Sequence, residues 1–298
     1  VSVVAYLLNI KVILSFTGLG ILSKKNGLQK FLFESILKTI YYFSTSEIRG
    51  LKFWSKNYKR TTFIFQNKND KEYFERLVDF KKNNDYIKLI PGSGLPLIYQ
   101  KTKIYTEKRF ENYFFNKKIN FLFCARLLNS KGIKYFIDLS NYYSSSLFYI
   151  YGEPDPNSKD SITNKELKLL KESSRNLKLM GFAKNPLLNH LKDPSILIVP
   201  SNYGEGFPRA VIEAISLEIP VITFRNACKS NFSDKQVFIA KDNNLDSLVS
   251  EVKKVLELIE NKQIISFLRK SREIVLNNYT EEIIVRKTLD IYQNHILN

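Results

Sequence analysis

The chain has 298 residues, of which 44% are hydrophobic and 25% are charged, so its composition is that of an ordinary globular protein and its length favours two domains. Its two cysteines, Cys124 and Cys228, form no C-x-x-C pair, which argues against a disulfide framework and a zinc site and favours a reducing compartment. The net charge is +17. Residues 1–118 hold 22 Lys and Arg against 9 Asp and Glu, whereas the remaining residues hold 24 against 20.

The basic first part is compatible with several partners. It could face an anionic membrane surface or a phosphorylated substrate, or it could simply keep the protein in solution. Nucleic acid is the least supported partner, because the sequence has no RNA-recognition motif, zinc finger or glycine-rich nucleic-acid loop. The apolar stretch Val1–Leu22 is interrupted by Asn9 and Lys11. It therefore falls short of the roughly 20 continuous apolar residues of a membrane span, and it lacks the features of a signal peptide.

Residues 1–100 are predicted to form an α/β domain, because short apolar runs alternate with helical patterns. The predicted elements are the end of a helix at Val1–Leu8, a strand at Lys11–Phe16, a helix at Leu28–Phe43, a strand at Thr61–Gln66, a helix at Glu72–Val78 and a strand at Tyr86–Ile90. The stretch that follows is polar and has no strong apolar period. Residues 101–118 are therefore predicted to be a linker.

From residue 119 onward the alternation of strands and helices is regular. Strands are predicted at Ile119–Ala125, Ser146–Tyr151, Leu177–Phe182, Ile196–Val199, Pro220–Phe224 and Gln236–Ala240, with helices at Lys131–Tyr143, Thr163–Ser173, Pro186–Lys192, Pro208–Leu217, 245–258, 263–277 and 281–296. This order predicts a parallel sheet with helices on both faces. Ligands of such sheets bind at the carboxyl ends of the strands, where Arg126, Gly152 and Glu205 fall.

The most informative motif is E-G-F-P-R-A-V-I-E, which places Glu205 and Glu213 at the two ends of a strand-to-helix turn. Pro208 suits the first helical position, and the amides of Gly206 and Phe207 would then lie at a helix N-terminus that can bind phosphate. One carboxylate could face a sugar while the other reaches a more distant hydroxyl. In the alternative interpretation, the first glutamate is a helix cap and the second is a solvated helix residue.

A second motif is A-R-L-L-N-S-K-G, in which Arg126 ends a strand and Lys131 precedes the next helix. Two cations on a strand-to-helix loop can bind two phosphates and neutralise the charge that builds on a diphosphate leaving group. By itself such a loop is more often a solvated basic loop. Its combination with the two glutamates makes the case for a phosphate-binding site.

Together these motifs resemble the donor-binding half of family-4-type retaining glycosyltransferases of the GT-B fold. The residues that carry the resemblance are Phe121–Gly132, Gly152–Asn157 and, above all, Pro200–Ala214. The resemblance is closest to the bacterial branch that builds capsular, O-antigen or glycan-carrier polysaccharides. Earlier segments fit the same branch: Thr17–Gly20, Phe65–Asp70 and Gly92–Gly94.

The resemblance implies an α/β, GT-B architecture of two facing Rossmann-like domains. Residues 1–100 would be a partial N-terminal acceptor-side domain, 119–279 the C-terminal nucleotide-sugar donor-binding domain, and 280–298 a C-terminal helix packing back on the first domain. Arg126 and Lys131 would bind the donor diphosphate, Glu205 with Gly206, Phe207 and Pro208 the sugar and phosphate, and Glu213 the ribose. Glu205, Arg126 and Lys131 would be catalytic, and Gly18, Gly20 and Ser93 would lie on the acceptor side.

The sequence also departs from the family's pattern. Family members normally begin with further strand–helix units, so on the order of 100 residues of the N-terminal domain would be absent. No histidine precedes His190, whereas the family has one on a loop facing the acceptor. Glu218 and Ala227 stand where the family prefers glycines, which normally permit positive φ. Cys228, His190 and His295 are expected to have packing or surface roles.

The chain is expected to be a retaining glycosyltransferase that transfers a hexosyl or N-acetylhexosaminyl group from a nucleotide-diphosphate sugar, specifically a UDP-sugar. It is expected to need no metal or other cofactor. The expected acceptor is a glycan or polyprenyl-diphosphate-linked glycan in surface polysaccharide biosynthesis. The expected location is the cytoplasm, peripheral on the anionic inner face of the membrane, with no nucleic-acid partner. Two alternatives stay open: a truncated, inactive donor-binding remnant, and a nucleotide-sugar-binding regulatory protein.

Overall fold

The computed structural model describes residues 10–19, 26–45, 61–78, 86–116, 118–173, 175–202, 205–228 and 231–297. The chain divides into two compact units, the first formed by Val1–Gly94 with Glu281–Asn298 and the second by Leu95–Thr280. The expected helix at Val1–Leu8 lies outside the described residues. Within the described residues, no helix is both long and apolar enough to cross a membrane.

The first unit is built on a three-stranded parallel sheet of order β1-β2-β3. Its strands are β1 (Val12–Phe16), β2 (Thr61–Phe65) and β3 (Ile87–Leu89), and the helices among its described residues are Leu28–Thr45, Lys68–Leu77 and Glu281–Leu297. Phe74 is fully buried and packs against the rings of Phe63 and Phe65, with centroids 5.0 and 5.1 Å away. One aromatic cluster therefore holds the sheet to the helix Lys68–Leu77.

The C-terminal helix Glu281–Leu297 belongs to the first unit. Its Ile284 is buried in a small cluster with Ile64 and Ile90. His295 is also buried, and its Nδ1 lies 2.9 Å from the Thr62 hydroxyl. His295 thus has a packing role in this unit.

The second unit has a six-stranded parallel sheet of order β6-β5-β4-β7-β8-β9. The strands are β4 (Asn120–Cys124), β5 (Leu147–Tyr151), β6 (Leu177–Gly181), β7 (Ser195–Val199), β8 (Val221–Phe224) and β9 (Phe238–Ala240). The chain runs outward from β4 to β6 and returns to β7 on the other side of β4. The strand order therefore reverses between β4 and β7, and a crevice opens at the carboxyl ends of strands at such a reversal.

Helices cover both faces of this sheet, as its alternating apolar strands require. The α-helices are Leu97–Lys101, Thr106–Asn116, Ile133–Tyr142, Asn164–Ser173, Arg209–Ser216, Arg225–Cys228, Leu245–Glu260 and Ile264–Asn278, and short 3-10 helices lie at Asn129–Lys131 and Pro186–His190. One core contains Phe121, Phe123 and Phe148, and the other contains Leu122 and Leu197. Successive residues of β4 thus point into different cores.

The prediction of a linker at residues 101–118 is wrong. The segment contains the helix Thr106–Asn116, and its Phe110 and Tyr113 are buried in a core of the second unit. Arg109 is also buried, and its Nη2 donates to the carbonyls of Leu217 and Glu218 at 3.0 Å each. Burial lowers the pKa of this guanidinium to about 10. The helix was missed because two of its inward positions carry polar residues.

Glu218 and Ala227, which stand where the family prefers glycine, differ in their backbone conformations. Glu218 adopts a φ of 55°, so it does occupy a conformation that favours glycine. Its carboxylate is buried, accepts a hydrogen bond from the Thr106 hydroxyl and lies near Arg109. Ala227, by contrast, lies within the short helix Arg225–Cys228, where a positive φ is not needed. Contacts with the helix Thr106–Asn116 thus hold Glu218 in this strained backbone conformation.

Candidate functional site

A cavity of about 440 Å³ lies at the carboxyl ends of β4, β5 and β6. Its walls come from the loops after these three strands, from the turn before the short helix Pro186–His190 and from the start of the helix Arg209–Ser216. The residues that line it are Cys124, Ala125, Arg126, Tyr151, Gly152, Glu153, Pro154, Asp155, Pro156, Phe182, Ala183, Pro186, Arg209, Ala210 and Glu213. The cavity therefore lies on the side of the sheet where the strand order predicts a ligand.

The loop after β4 is packed closely against the end of β7. Gly132 has a φ of 78°, and a Cβ on it would come within 1.9 Å of the Pro200 carbonyl oxygen. The Ser130 carbonyl accepts hydrogen bonds from the Asn202 amide at 2.9 Å and from the Ser201 hydroxyl at 3.2 Å. Only glycine fits at position 132, and this close approach sets the position of Lys131.

Lys131 forms an ion pair with Glu205 across these two loops. Its Nζ lies 2.7 and 2.6 Å from the two carboxylate oxygens. Both side chains are largely shielded, with exposed fractions of 16% for the lysine and 10% for the glutamate. The structure thus joins the basic loop and the first glutamate of the E-x7-E motif, which are 74 residues apart in sequence.

Arg126 forms a second ion pair, with Asp155 in the loop after β5, at 2.6 Å. The arginine side chain is 61% exposed, so this pair faces solvent. The hydrogen bond from Arg126 and one from the backbone of Asn157 lower the pKa of Asp155. The loop approaches β4 closely at Gly152, where φ is 147° and a Cβ would come within 1.9 Å of the Ala125 carbonyl oxygen.

Glu213 lines the cavity from the helix Arg209–Ser216 and is buried. Burial raises the pKa of its carboxyl, while the hydrogen bond from Arg209 opposes that shift. The Nε of Arg209 lies 2.7 Å from the carboxylate. Cys124 also lines the cavity, and burial, with the nearby Glu213 charge, raises the pKa of its thiol. The cavity therefore presents one buried carboxylate and two partly exposed guanidinium groups.

Residues 104–271, more than half of the chain, match the family of glycosyl transferases group 1. The matched segment contains both ion pairs and Glu213. The chain belongs to this family.

A sequence relative of this glycosyl transferases group 1 chain agrees with that assignment. An uncharacterized glycosyltransferase of Methanocaldococcus jannaschii is 27% identical over 228 residues, which are 66% of this chain and 53% of the relative. The chain thus spans about half the length of that curated relative.

Two solved structures show the fold. The structure of sucrose-phosphate synthase from Thermosynechococcus elongatus superposes with a TM-score of 0.74 and 16% sequence identity. The aligned region covers 99% of this chain and 71% of the synthase chain. The HepE protein of Anabaena, in complex with UDP-glucose, matches 98% of this chain and 75% of its own, with a TM-score of 0.70 and 14% identity. The expected GT-B glycosyltransferase fold is confirmed.

The structure distributes the predicted donor-site residues over two groups. Lys131 meets Glu205, whereas Arg126 and Glu213 line the cavity. Pro208 was predicted to be the first helical residue, but it is the N-cap, and the helix begins one residue later, at Arg209. The ring of Phe207 packs 5.3 Å from Phe232 and 5.2 Å from Tyr279, and the Gly206 carbonyl accepts a hydrogen bond from Asn231 at 2.7 Å. These two residues anchor the turn that carries the first glutamate.

Sequence reasoning missed Asp155, Arg209 and Tyr99. Arg209 lies within the E-x7-E motif, four residues before Glu213, and this helical spacing could have revealed the pair. The sequence signal for Asp155 was weaker. Its loop, Gly152–Asn157, carries part of the family resemblance, but the sequence does not show that Asp155 pairs with Arg126. Tyr99 carried none, because it reaches Glu213 from a distant segment.

The residues predicted for the acceptor side lie at the carboxyl ends of strands in the first unit. Gly18 follows β1, and Ser93 follows β3 between Gly92 and Gly94, which have φ values of 68° and 89°. The Leu19 amide donates to the Asp70 carboxylate at 2.9 Å, which ties the loop after β1 to the helix Lys68–Leu77. Gly20 lies outside the described residues. The acceptor role of these residues stays a prediction.

His190 is buried beneath the cavity wall. Its Nε2 lies 2.8 Å from the hydroxyl of Tyr151, which itself lines the cavity. Burial lowers the pKa of the imidazole. Its expected packing role agrees with this position. Cys228 is buried as well, where burial raises the pKa of its thiol to about 12 and Thr223 donates a hydrogen bond to its sulfur at 3.3 Å.

Proposed function

We propose that this chain transfers a sugar, hexosyl or N-acetylhexosaminyl, from a UDP-sugar to a glycan or a polyprenyl-diphosphate-linked glycan in surface polysaccharide biosynthesis. The observation that carries the proposal is the cavity at the ends of β4, β5 and β6, which presents Glu213 and Arg126 to the same space. The HepE complex with UDP-glucose supports the choice of a uridine nucleotide. The reaction proceeds with retention and without a metal ion.

The nucleoside occupies the cavity in this proposal. Its volume of about 440 Å³ lies in the range of small-ligand pockets. Glu213 accepts hydrogen bonds from the ribose hydroxyls, and its ion pair with Arg209 fixes the carboxylate for that task. Phe182, an exposed aromatic residue on the loop after β6, lies on the same cavity and offers a ring face to the base.

The diphosphate binds to Arg126. Its present partner, Asp155, is held through a solvent-facing ion pair, and exposed pairs of this kind are weak. A diphosphate carries more charge than one carboxylate and offers bidentate acceptors that suit a guanidinium. Arg126 therefore exchanges the aspartate for the donor when the donor arrives.

Lys131 and Glu205 act at the sugar end. The carboxylate holds the ammonium group between the two loops, in a shielded setting where a fixed charge interacts more strongly than it does in water. A preoriented cation at this position stabilises the negative charge that develops on the departing diphosphate. Glu205 thus positions Lys131 and lies where it can accept hydrogen bonds from the transferred sugar.

The donor site is tested by thermal shift with UDP, UDP-glucose and UDP-N-acetylglucosamine. We expect one of these to stabilise the protein, and Lys131→Ala and Glu205→Ala to weaken its binding roughly tenfold to a hundredfold, because charge-assisted hydrogen bonds are lost. Lys134→Ala is the matched control, since this lysine is exposed on the next helix and belongs neither to the cavity lining nor to the Lys131–Glu205 ion pair. Wild-type protein that no uridine nucleotide stabilises would contradict the proposal.

Transfer is tested separately, with labelled UDP-sugar and a polyprenyl-diphosphate glycan in the presence of EDTA. We expect labelled glycan with the anomeric configuration of the donor, read by NMR. Binding of the UDP-sugar without hydrolysis or transfer would instead favour the regulatory or inactive alternative. An inverted product would rule out retention, and activity abolished by EDTA would show that a metal ion is needed.

A further inference from the structure

The loop after β4, which carries Arg126 and Lys131, is held along its length by the loop that follows β5. The Leu127 amide donates a hydrogen bond to the Glu153 carbonyl at 3.0 Å, and the Ile162 amide donates one to the Leu127 carbonyl at 3.0 Å. The two loops therefore run side by side. A side chain on the second loop that binds the first loop can fix where its cations lie.

Asp160, on the loop after β5, binds both hydrogen-bond donors of Ser130. Its half-buried carboxylate accepts one hydrogen bond from the Ser130 amide, at 3.1 Å, and another from the Ser130 hydroxyl. The Asp160 carbonyl accepts hydrogen bonds from the amide and the side-chain nitrogen of Asn129, at 2.8 and 3.1 Å. Hydrogen bonds to an ionised carboxylate are stronger than those between neutral groups. One aspartate thus holds the two residues that precede Lys131.

Ser130 is also bound on its other side, by the segment that follows β7. Its carbonyl accepts hydrogen bonds from the Asn202 amide at 2.9 Å and the Ser201 hydroxyl at 3.2 Å. That segment leads to Glu205, and Lys131 is the next residue after Ser130. Ser130 therefore joins the two stretches of chain on which the members of the ion pair lie.

The ion pair depends on such support, because lysine has a long and flexible side chain. Its ammonium group can be held at one point only if the backbone from which it extends is also held. The close approach of Gly132 to Pro200 fixes the residue after Lys131, and the contacts of Ser130 fix the residue before it. A displacement of about 1 Å at a reacting group can lower a rate on the order of a hundredfold.

A nearby carboxylate has the same kind of partners without this connection. Glu166 accepts hydrogen bonds from the amide and the hydroxyl of Thr163, at 2.7 and 2.9 Å. These two residues are only three apart in sequence, and they cap the helix Asn164–Ser173. Asp160 and Ser130 are 30 residues apart, so their contact joins two loops. Glu166 therefore offers a matched control.

We propose that Asp160 is a positioning residue of the donor site, which acts through Ser130 to fix the Lys131–Glu205 pair beside the departing diphosphate. The inference rests on the proposed function, because that function assigns Lys131 to the diphosphate. Asp160 is not among the residues that line the cavity. Its loss should therefore weaken the binding of a diphosphate while leaving the binding of the nucleoside unchanged.

The test compares UDP with uridine. UDP is titrated calorimetrically, and uridine is measured by its displacement of labelled UDP. We expect Asp160→Ala to weaken UDP binding roughly tenfold and to change uridine binding less than about twofold, because uridine has no phosphate to meet Lys131. Glu166→Ala should leave both affinities unchanged. A role in folding alone would weaken both ligands together.

Two further variants connect the effect to Lys131. In the Lys131→Ala background, Asp160→Ala should cause no further loss of UDP affinity, because the cation that it positions is gone. Asp160→Asn keeps an acceptor oxygen and should retain most of the UDP affinity. Ser130→Ala removes only the hydroxyl donor, should weaken UDP binding about threefold, and replaces Asp160→Ala in every comparison if that variant does not fold.

Hydrogen exchange of single amides, followed by NMR without nucleotide, tests the connection between the loops. We expect Asp160→Ala to speed exchange at the amides of Ser130 and Asn202 about tenfold, because each loses an ordered acceptor. Glu166→Ala should speed exchange at Thr163 and leave Asn202 unchanged.

The outcomes separate this inference from the proposed function. Wild-type protein that binds UDP, together with an Asp160→Ala variant that binds it equally well, would overturn the positioning role alone. So would an equal loss of UDP and uridine affinity, an additive loss with Lys131→Ala, or unchanged exchange at Asn202. Wild-type protein that binds no uridine nucleotide would overturn the donor site, and the positioning role with it.

Discussion

The two compact units of this chain differ in how they use their surface. The second unit has a six-stranded sheet covered on both faces, and a cavity lined by the candidate residues Arg126 and Glu213 lies between tightly packed loops. The first unit has a three-stranded sheet with a small aromatic core, and it turns an apolar helix face outward. The second unit thus presents a concave cavity, whereas the first presents exposed apolar side chains on a helix.

The two units also differ in how well they tolerate substitution of a glycine. In the second unit, loops meet at distances that leave no room for a side chain, as at Gly132 and Gly152. In the first unit, Gly27 precedes the exposed helix with a φ of 70° and with nothing within 4 Å of a Cβ. Both kinds of glycine have positive φ, but only the first kind also has a steric reason to be glycine.

The largest predicted effect is that of Gly132→Ala, which should destabilise the protein by about 3 kcal/mol, because backbone strain adds to a collision with the Pro200 carbonyl. Gly27→Ala, which meets only the strain of positive φ, should cost about 1 kcal/mol. Urea unfolding followed by circular dichroism measures both. Similar losses in the two variants would remove the contrast between the units.

A smaller effect is expected for Arg109→Met, which removes two hydrogen bonds to the carbonyls of Leu217 and Glu218 and should cost about 2 kcal/mol. The Glu218 carboxylate then stays buried with less compensation. Glu218→Gly in the same chain should restore part of the loss, because it removes this charge and relieves a positive φ. An unaffected unfolding midpoint in Arg109→Met would show that residues 101–118 are not an integral part of the second unit.

The smallest effect on stability is expected for Glu213→Gln. Burial raises the pKa of Glu213 above its ordinary value of 4.5, so the folded protein binds this proton more tightly than the unfolded chain does. The stabilising contribution is therefore complete below pH 4.5 and is lost as the pH rises through the folded pKa.

At pH 7 the glutamine variant should consequently melt at the same temperature as wild type or above it, while binding UDP-sugar about tenfold more weakly, since hydrogen bonds to ribose are lost. Thermal melts between pH 4 and 8, with and without UDP-sugar, test both statements. Undiminished UDP-sugar binding would place the ribose elsewhere.

Much of the fold could be predicted from local pattern. All six strands of the second sheet were predicted within about two residues of their observed bounds, because buried parallel strands are short apolar runs between turn residues. The helix Thr106–Asn116 could not be recognised in this way. Its inward face includes Thr106 and Arg109, which become acceptable in the core only through partners more than a hundred residues away.

The site was predictable to a similar extent. The E-x7-E motif and the Arg126–Lys131 loop indicated candidate residues, because their spacing on a strand-to-helix turn is a local property. The pairing was not predictable, since Lys131 meets Glu205 and Arg126 meets Asp155 only when the loops after β4, β5 and β7 are brought to one edge. Nor could the sequence show that Glu213 is buried and that Tyr99 lies near it.

The sequence by itself determined the family pattern, the alternation of strands and helices and the basic character of the first part, because each depends on residue types at short spacing. The tertiary structure alone decided which charges are paired, which apolar helix face is left outward and which glycines are irreplaceable. These depend on distances between segments far apart in the chain. The local sequence thus indicates the candidate residues, and the packing of the sheet determines which residues they contact.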